Sequence, residues 1–227
     1  MTMGVWLWWS TGKDSAWMLQ VLRDRPDVEV AGLVTTIKPA AERVAVHGTR
    51  LAVLRAQAEA TGLPLRTIAL PHPCPNEVYE AAVRPVLHDA AANGISHMAF
   101  GDLFLEDIRA YREGLFEDLP LQPLFPLWKR DTTDLARTMI DSGLEAVVTA
   151  LDPDRLDRSF AGAPFSTLVN HCPASVDPCG ENGAFHTCVT AGPMFNHDLS
   201  VERGPVMERD GVVYADLRLV DDGTAAS

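Results

Sequence analysis

The chain is short of positive charge. It carries 19 Lys and Arg against 31 Asp and Glu, for a net charge of −12 over 227 residues, which argues against a general nucleic-acid or anionic-membrane surface. Lysine stands only at Lys13, Lys38 and Lys129. No apolar run approaches the ~20 residues that a bilayer span needs. The N-terminal apolar run has no positive segment ahead of it, so it reads as a buried strand and not as a secretory signal. The cysteines Cys74, Cys172, Cys179 and Cys188 contain no C-x-x-C pair. His171 and His186 lie near the last three, but the gaps do not match zinc spacing. Reduced thiols in a cytoplasmic protein are the expectation. Internal repeats and low-complexity tracts are also lacking.

What is present is a balanced globular composition, 47% hydrophobic and 22% charged, in a chain long enough to bury a full core. The most informative stretch is Trp6–Ala16. An apolar run stops at Ser10-Thr11-Gly12-Lys13-Asp14-Ser15, and a helical pattern through Ala16, Met18, Leu19 and Leu22 begins at once. A strand, a small-residue loop and a helix start together make an anion site, because backbone N–H groups and the positive end of the helix dipole converge there. Ser10 and Ser15 offer hydroxyls, and Lys13 offers charge. The Walker pattern does not fit, since Leu7 stands where its first Gly belongs and Asp14 follows Lys13. Asp14 suits the site if a divalent cation bridges it to phosphates. A simple capped helix, with Ser10 or Thr11 as N-cap, explains one hydroxyl but not the whole hexapeptide.

Strands are predicted at Val28–Val34, Leu65–Leu70, Ile95–Phe100 and Pro120–Phe125. Helices are predicted at about Thr49–Ala60, with Gly62 as its stop, from an Asn76 cap to Asn93-Gly94, and at Glu106–Glu117. This alternation implies β-α-β units and a parallel sheet. In such a sheet ligands bind beyond the carboxyl ends of the strands, where Ser10–Ser15, Thr35-Thr36 and Gly101-Asp102 fall. From about Lys129 the rhythm changes. Asp131 caps a helix stopped by Gly143, Glu145–Ala150 is a strand, and a Pro/Gly-punctuated stretch from Asp152 to Pro193 precedes a strand at Gly211–Val220. The expected division is 1–128, 129–220 as a smaller α+β domain packed over the first, and 221–227 as a disordered tail.

Two further segments carry chemistry. In Asp177–Thr187, Glu181 can hold a metal or take a proton, and Asn182, His186 and Thr187 can hydrogen-bond a polar substrate. A glycine-rich turn leading into a strand at Phe185–Thr190 is the plainer reading. After Gly101-Asp102, Arg109 and Arg112 share one helix face. They can clamp a polyphosphate or carboxylate, or lie on a solvated face where Arg109 pairs with Glu106 and Glu113.

Taken in order, these segments resemble the ATP-pyrophosphatase (PP-loop) family of diphthine–ammonia ligase and its bacterial relatives. The family's S-G-G-K-D-S appears as Ser10–Ser15. Its G-D…R…E segment appears as Gly101-Asp102 with Arg109–Glu113, and its G-E-[NG]-G-E-F-[HE]-T as Gly180–Thr187. His47-Gly48-Thr49-Arg50 and Gln57-Ala58…Gly62-Leu63-Pro64 also resemble it. Thr11 stands where the loop usually has Gly, and Ala184 where the family usually has Glu.

The resemblance implies an adenine nucleotide alpha-hydrolase-like, Rossmann-like sheet binding ATP and Mg²⁺. Ser10, Thr11, Gly12, Ser15, Gly101 and Asp102 would lie at the nucleotide, with Asp14 at the metal. Lys13, Arg109 and Arg112 would stabilise phosphates, and Thr35 and Thr36 would line the adenine pocket. Glu181, Asn182, His186 and Thr187 would face the acceptor. The implied reaction adenylates a small-molecule or protein carboxylate, releases pyrophosphate and adds free or partner-supplied ammonia. A nucleotide sensor without turnover and a tRNA-modifying sulfurtransferase are the alternatives. Neither the cysteine spacing nor the charge favours the latter. A homo-oligomer is compatible with all of these.

Overall fold

A computed structural model of the chain describes residues 2–45 and 47–220. The tail at 221–227 lies outside the described residues.

The first sheet has six strands. β1 (Met3–Trp8) is central, flanked by β2 (Val28–Lys38) and β5 (His97–Ala99), with β6 (Gln122–Leu124) beyond β5. β4 (Leu65–Ala69) and β3 (Arg43–Val44) both pair with β2. All pairings are parallel except that of β3. The chain moves outward from β1 to β2 and β4, then returns to the other side of β1 for β5. The crevice between β1 and β5 is therefore the switch point at which such sheets bind ligands.

The second sheet is antiparallel, in the order β8 (Phe185–Ala191), β7 (Glu145–Leu151), β10 (Val212–Leu219), β9 (Val201–Arg209). Six α-helices connect the strands among the described residues: α1 (Lys13–Arg23), α2 (Leu51–Thr61), α3 (Asn76–Ala92), α4 (Glu106–Leu115), α5 (Thr132–Asp141) and α6 (Phe165–His171).

One core joins the two sheets. Val5, Leu7 and Trp9 of the first strand and its exit pack into the same cluster as Ala146 and Val148 of β7, Val189 of β8 and Val213 of β10. α1 lies within this cluster, which is why Ala16, Trp17, Met18, Leu19 and Leu22 are all buried. Each large apolar side chain among them contributes up to about 1.5–3 kcal/mol of burial. On the opposite face, α3 and α4 cover Val34, Ile68, Met98 and Phe100 through Val83, Leu87 and Leu115. The loop at the head of α1 is thus set between two sheets.

Several local expectations change. Gly12, not Ser10 or Thr11, is the N-cap of α1, with no side-chain cap. Pro75 caps α3, and Asn76 is its first residue. β2 runs four residues past Val34, because β4 and β3 pair with its far end. β3, β9 and α6 add to the predicted elements. β9 carries Gly204-Pro205 and a charged, exposed pattern suited to a sheet edge, which hides it from an alternation test. The seven-residue α6 sits between Pro164 and Pro173, too short for its period to register. Asp131 caps α5 as expected, accepting from Asp134 N–H at 2.9 Å.

Candidate active site

The loop from Ser10 to Ser15 is held from three directions. Thr11 adopts φ +73°, a left-handed conformation that strains a β-branched residue. Its hydroxyl bonds Thr49 Oγ1 at 2.9 Å. Its carbonyl accepts from Gln57 Nε2 at 3.1 Å and from Val189 N–H at 3.0 Å. Gln57 is fully buried; it also accepts from Trp9 Nε1 at 2.9 Å and donates to the Val189 carbonyl at 2.7 Å. One amide therefore ties β1, the loop and β8 together.

Ser10 and Ser15 bond each other through their hydroxyls at 3.1 Å, and Ser15 Oγ donates to the Gly12 carbonyl at 2.9 Å. Gly12 cannot be replaced without movement. A Cβ there would sit 2.9 Å from His47 Cε1 and 3.2 Å from the Thr187 carbonyl oxygen.

The first N–H groups of a helix have no intrahelical acceptor. In α1, Gly12 N–H goes to Ser10 Oγ at 3.3 Å and Lys13 N–H to Thr187 Oγ1 at 3.1 Å. That leaves Asp14 and Ser15 N–H at the positive end of the dipole. Gly101, at the end of β5, lies directly against this turn. A Cβ on Gly101 would be 3.1 Å from the Asp14 carbonyl carbon and 3.3 Å from Ser15 N.

Lys13 is buried, its side chain 3% exposed. Its ammonium donates to both Asp14 oxygens, at 2.9 and 2.7 Å, and to the Cys179 carbonyl. The Phe165 and Phe185 rings lie 5.7 and 5.6 Å away. Burial opposes its charge, but Asp14, Cys179 and Glu181 outweigh that and raise its pKa above the usual lysine value. Asp14 keeps 27% exposure and is the open end of the pair.

The Gly180–Thr187 segment crosses over this pair. Asp177 Oδ1 accepts from Cys179 N–H at 3.0 Å and Glu181 N–H at 3.2 Å, which shapes the turn. Glu181 Oε1 accepts from Leu103 N–H at 2.6 Å and Phe104 N–H at 3.3 Å, clasping the turn to the loop after β5. Burial pushes the Glu181 carboxyl above its usual range, against the Leu103 N–H that favours its charge. Thr187 is buried on the loop, whereas Asn182 is exposed and only its carbonyl is engaged, by Arg155 at 3.0 Å. Ala184 is buried in the core shared by the sheets, so the position that departs from the family pattern is a packing position here.

His186 sits against His47, ring centroids 4.6 Å apart. Burial pulls the His186 pKa down to about 4 and that of His47 to about 3, where His186 also contributes.

Arg109 and Arg112 on α4 each have a carboxylate and an aromatic face. Arg109 pairs with Glu113 at 2.7 Å and lies 4.8 Å from both the Phe125 and Trp128 ring centres. Arg112 lies 4.3 Å from the Phe100 ring and approaches Asp102 at 2.7 Å through Nε, an ion pair without hydrogen-bond alignment there. Its Nη2 donates to Asp102 Oδ1 at 3.2 Å. Thr35 and Thr36 lie inside β2 and not at its end, because β4 pairs beyond them; the Thr35 hydroxyl donates to the Trp9 carbonyl at 2.8 Å and so fixes the loop's entry. Thr36 is buried beside it. Among the described residues no three His, Cys, Asp or Glu side chains converge on a metal position.

The fold therefore gathers the loop, Gly101-Asp102 and Gly180–Thr187 into one constellation, with Arg109 and Arg112 at its β5 side. Gln57, Thr49, Asp177 and His47 also belong to it. Gln57 had a signal in the sequence, an amide on the apolar stripe of Val53, Leu54 and Ala58.

Comparisons with known proteins identify the family. A family model of the diphthamide synthase N-terminal domain matches residues 3–122, and one of the C-terminal domain matches residues 131–213. Diphthine–ammonia ligase of Rattus norvegicus is 31% identical over 127 residues, 53% of this chain and 48% of that protein. The Homo sapiens protein of the same name is 30% identical over 118 residues, 49% and 44% of the two chains. That of Danio rerio is 29% identical over 161 residues, 64% and 63%. The chain spans about half the length of the mammalian relatives it matches. With both domain models matched in order and the loop at a parallel-sheet switch point, the chain belongs to the diphthamide synthase family of PP-loop ATP pyrophosphatases.

Proposed function

We propose that the chain is an ATP-dependent ligase that converts a carboxylate to an amide, with release of AMP and pyrophosphate. The observation that carries this reading is the clamp of the Cys179–Thr187 segment across the nucleotide loop, through Thr187 on Lys13 N–H, Cys179 on the Lys13 ammonium and Glu181 on the loop after β5. A nucleotide site alone needs only the loop. Here the second motif is built into the same junction.

In this reading the Asp14 and Ser15 N–H groups and the α1 dipole hold the phosphates of the ATP substrate. Asp14, with its open side, would hold Mg²⁺ together with phosphate oxygens, a set of one or two carboxylates that suits this ion; the bound ion would neutralise charge on the leaving pyrophosphate. An oxygen of the acceptor carboxylate attacks the α-phosphorus, the bond to pyrophosphate breaks, and the acyl carbon gains a good leaving group. Ammonia then attacks that carbon, the bond to AMP breaks, and a proton is lost. The protein supplies position and charge. Lys13 holds the clamp and sets Asp14. Glu181 and Thr187 fix the segment that presents Asn182 and His186 to the acceptor. Thr36 faces the nucleotide base, and Asp102 with Arg112 and Arg109 forms the wall beside the acceptor.

The test is pyrophosphate release from Mg·ATP across a panel of carboxylates with ammonium, with AMP and amide formation followed in parallel. Stoichiometric release that needs both acceptor and Asp14 supports the ligase. ATP binding with no release for any acceptor favours a nucleotide sensor.

A further inference from the structure

A cavity of about 410 Å³ lies between α5 and α6, bounded by the loop that leads from α6 into the Asp177–Cys179 turn. That volume falls within the range of roughly 300–1,000 Å³ common for small-molecule sites. Its lining is divided in character. Ile140 of α5, Val169 of α6 and the buried Val176 of the loop give it an apolar wall. Arg137 and Asp141 of α5 and Asn170 of α6 give it polar groups, all three exposed.

Those polar groups are unspent. Arg137 and Asp141 stand four residues apart on one helix face, a spacing at which opposite charges can reach each other. They do not pair. Among the described residues, the side-chain hydrogen bonds of α5 and its cap belong to Asp131, Thr132 and Thr138, and that of α6 belongs to His171. A guanidinium, a carboxylate and an amide therefore line one cavity with no protein partner.

We propose that this cavity binds a free α-amino acid with an apolar side chain. Its carboxylate lies on the Arg137 guanidinium and the Asn170 amide, its ammonium on the Asp141 carboxylate, and its side chain against Ile140, Val169 and Val176. The charges select this class of ligand. A simple anion would meet Asp141, and a simple cation would meet Arg137. A zwitterion satisfies both, through hydrogen bonds that are stronger for being charged at each end. The apolar wall then takes a side chain of leucine or methionine size, which gains by leaving water.

The cavity also touches the clamp on the nucleotide loop. Pro178 lines it, and the next residue, Cys179, gives its carbonyl to the Lys13 ammonium. Thr132 of α5 donates to Asp177 Oδ2 at 2.5 Å, and Cys179 Sγ donates to the Thr132 carbonyl at 3.3 Å. The turn and the head of α5 are thus one unit. An amino acid bridging α5, α6 and the loop holds that unit in place, which makes the cavity an effector site for the clamp.

The experiment is calorimetric titration of the full chain with L-leucine and L-methionine, in the absence of nucleotide. N-acetyl-leucine, which lacks the ammonium, and leucinamide, which lacks the carboxylate, are the matched controls. Saturable binding of the free amino acids, weaker by tenfold or more for each derivative, supports the site. Arg137→Gln and Asp141→Asn should each weaken leucine binding at least tenfold with an unchanged melting temperature, since both side chains are exposed. Amide hydrogen exchange at Cys179 and Glu181, whose N–H groups bond Asp177 Oδ1, should slow on saturation with leucine. No saturable binding at millimolar concentration, equal binding of either derivative, or wild-type affinity in both variants overturns the proposal. Unchanged exchange at both amides would overturn the link to the clamp. None of these readouts needs ATP or turnover, so their failure is distinct from failure of the ligase reading.

Discussion

The Lys13 ammonium donates to the main-chain carbonyl of Cys179, which binds the first helix to the turn before β8 across more than half the chain. Lysine in a phosphate loop would be expected to point at the ligand. Here it points into the junction between the sheets, between Phe165 and Phe185. Lys13→Met should therefore act on stability as well as on nucleotide binding. Breaking a buried pair costs about 3–5 kcal/mol, and the exposure of Asp14 places this one at the low end, about 3 kcal/mol. Urea unfolding measures it. A loss below 1 kcal/mol would mean that the ammonium contact contributes little.

Thr11 gives a second prediction. Its left-handed backbone costs of order 1–3 kcal/mol in a β-branched residue, offset in part by its hydroxyl bond to Thr49. Thr11→Gly relieves the strain but loses that bond and adds chain entropy. The net change should lie within about 1 kcal/mol of zero. Thr11→Val keeps the strain, loses the bond and leaves Thr49 unpaired, and should cost about 2 kcal/mol. The two midpoints, measured side by side, check the order. Glycine less stable than valine would contradict it.

Arg109 and Arg112 should separate in the same assay. Glu113, the partner of Arg109, is 47% exposed, whereas Asp102 is 13% exposed. Arg109→Ala breaks a surface pair and should cost less than about 1 kcal/mol beyond its stacking. Arg112→Ala leaves a largely buried carboxylate uncompensated and should cost about 2–3 kcal/mol. Arg112→Asn/Asp102→Asn should recover part of that, since the double change removes both charges. Equal losses for the two single alanines would argue against this account.

Much of this architecture was legible because parallel β-α-β segments announce themselves twice, through apolar runs and through the polar residues that end them. Ser10–Ser15 and Gly101-Asp102 were placed at strand ends by that logic, and the crevice between β1 and β5 brings them together. What the sequence concealed was direction. Nothing in Lys13 itself distinguishes an ammonium facing phosphate from one facing Cys179, because the choice depends on a segment more than 160 residues away. Arg109 and Arg112 likewise read as a charged face, and only the fold supplies Phe100, Phe125 and Trp128 beneath them. β9 stayed hidden because an edge strand need not alternate.

The histidine pair makes stability depend on pH. Folded pKa values of about 3 for His47 and about 4 for His186 lie below the unfolded value of 6.5. Between those limits the unfolded chain binds protons that the folded chain refuses, so stability is full above 6.5 and falls as the pH drops toward 4. The slope from the two approaches about 1.4 kcal/mol per pH unit for each histidine. The raised carboxyl of Glu181 works in the opposite direction over part of the window. The difference between wild type and His47→Asn/His186→Asn therefore isolates the effect. Parallel stability–pH curves from pH 4.5 to 7 would refute it.

The close approach of Gly101 to the first turn of α1 yields the last prediction. The loop's remaining donors, Asp14 and Ser15 N–H, lie where β5 ends, and an added Cβ would meet the Asp14 carbonyl carbon at 3.1 Å, the Asp14 oxygen at 3.3 Å and Ser15 N at 3.3 Å. All three are backbone atoms, which cannot rotate away as a side-chain tip can, so Gly101→Ala must move either the helix start or the end of β5 by a few tenths of an ångström. Gly101 has an ordinary backbone conformation, so alanine adds no torsional strain of its own. The fold should therefore lose only about 1 kcal/mol, within the range for slight overpacking. Ligand binding should suffer more, because donors displaced by that amount no longer converge on one phosphate. Calorimetry with Mg·ATP should show at least tenfold weaker binding, with a nearly unchanged melting temperature. Wild-type affinity in Gly101→Ala would place the phosphates elsewhere than at the head of α1.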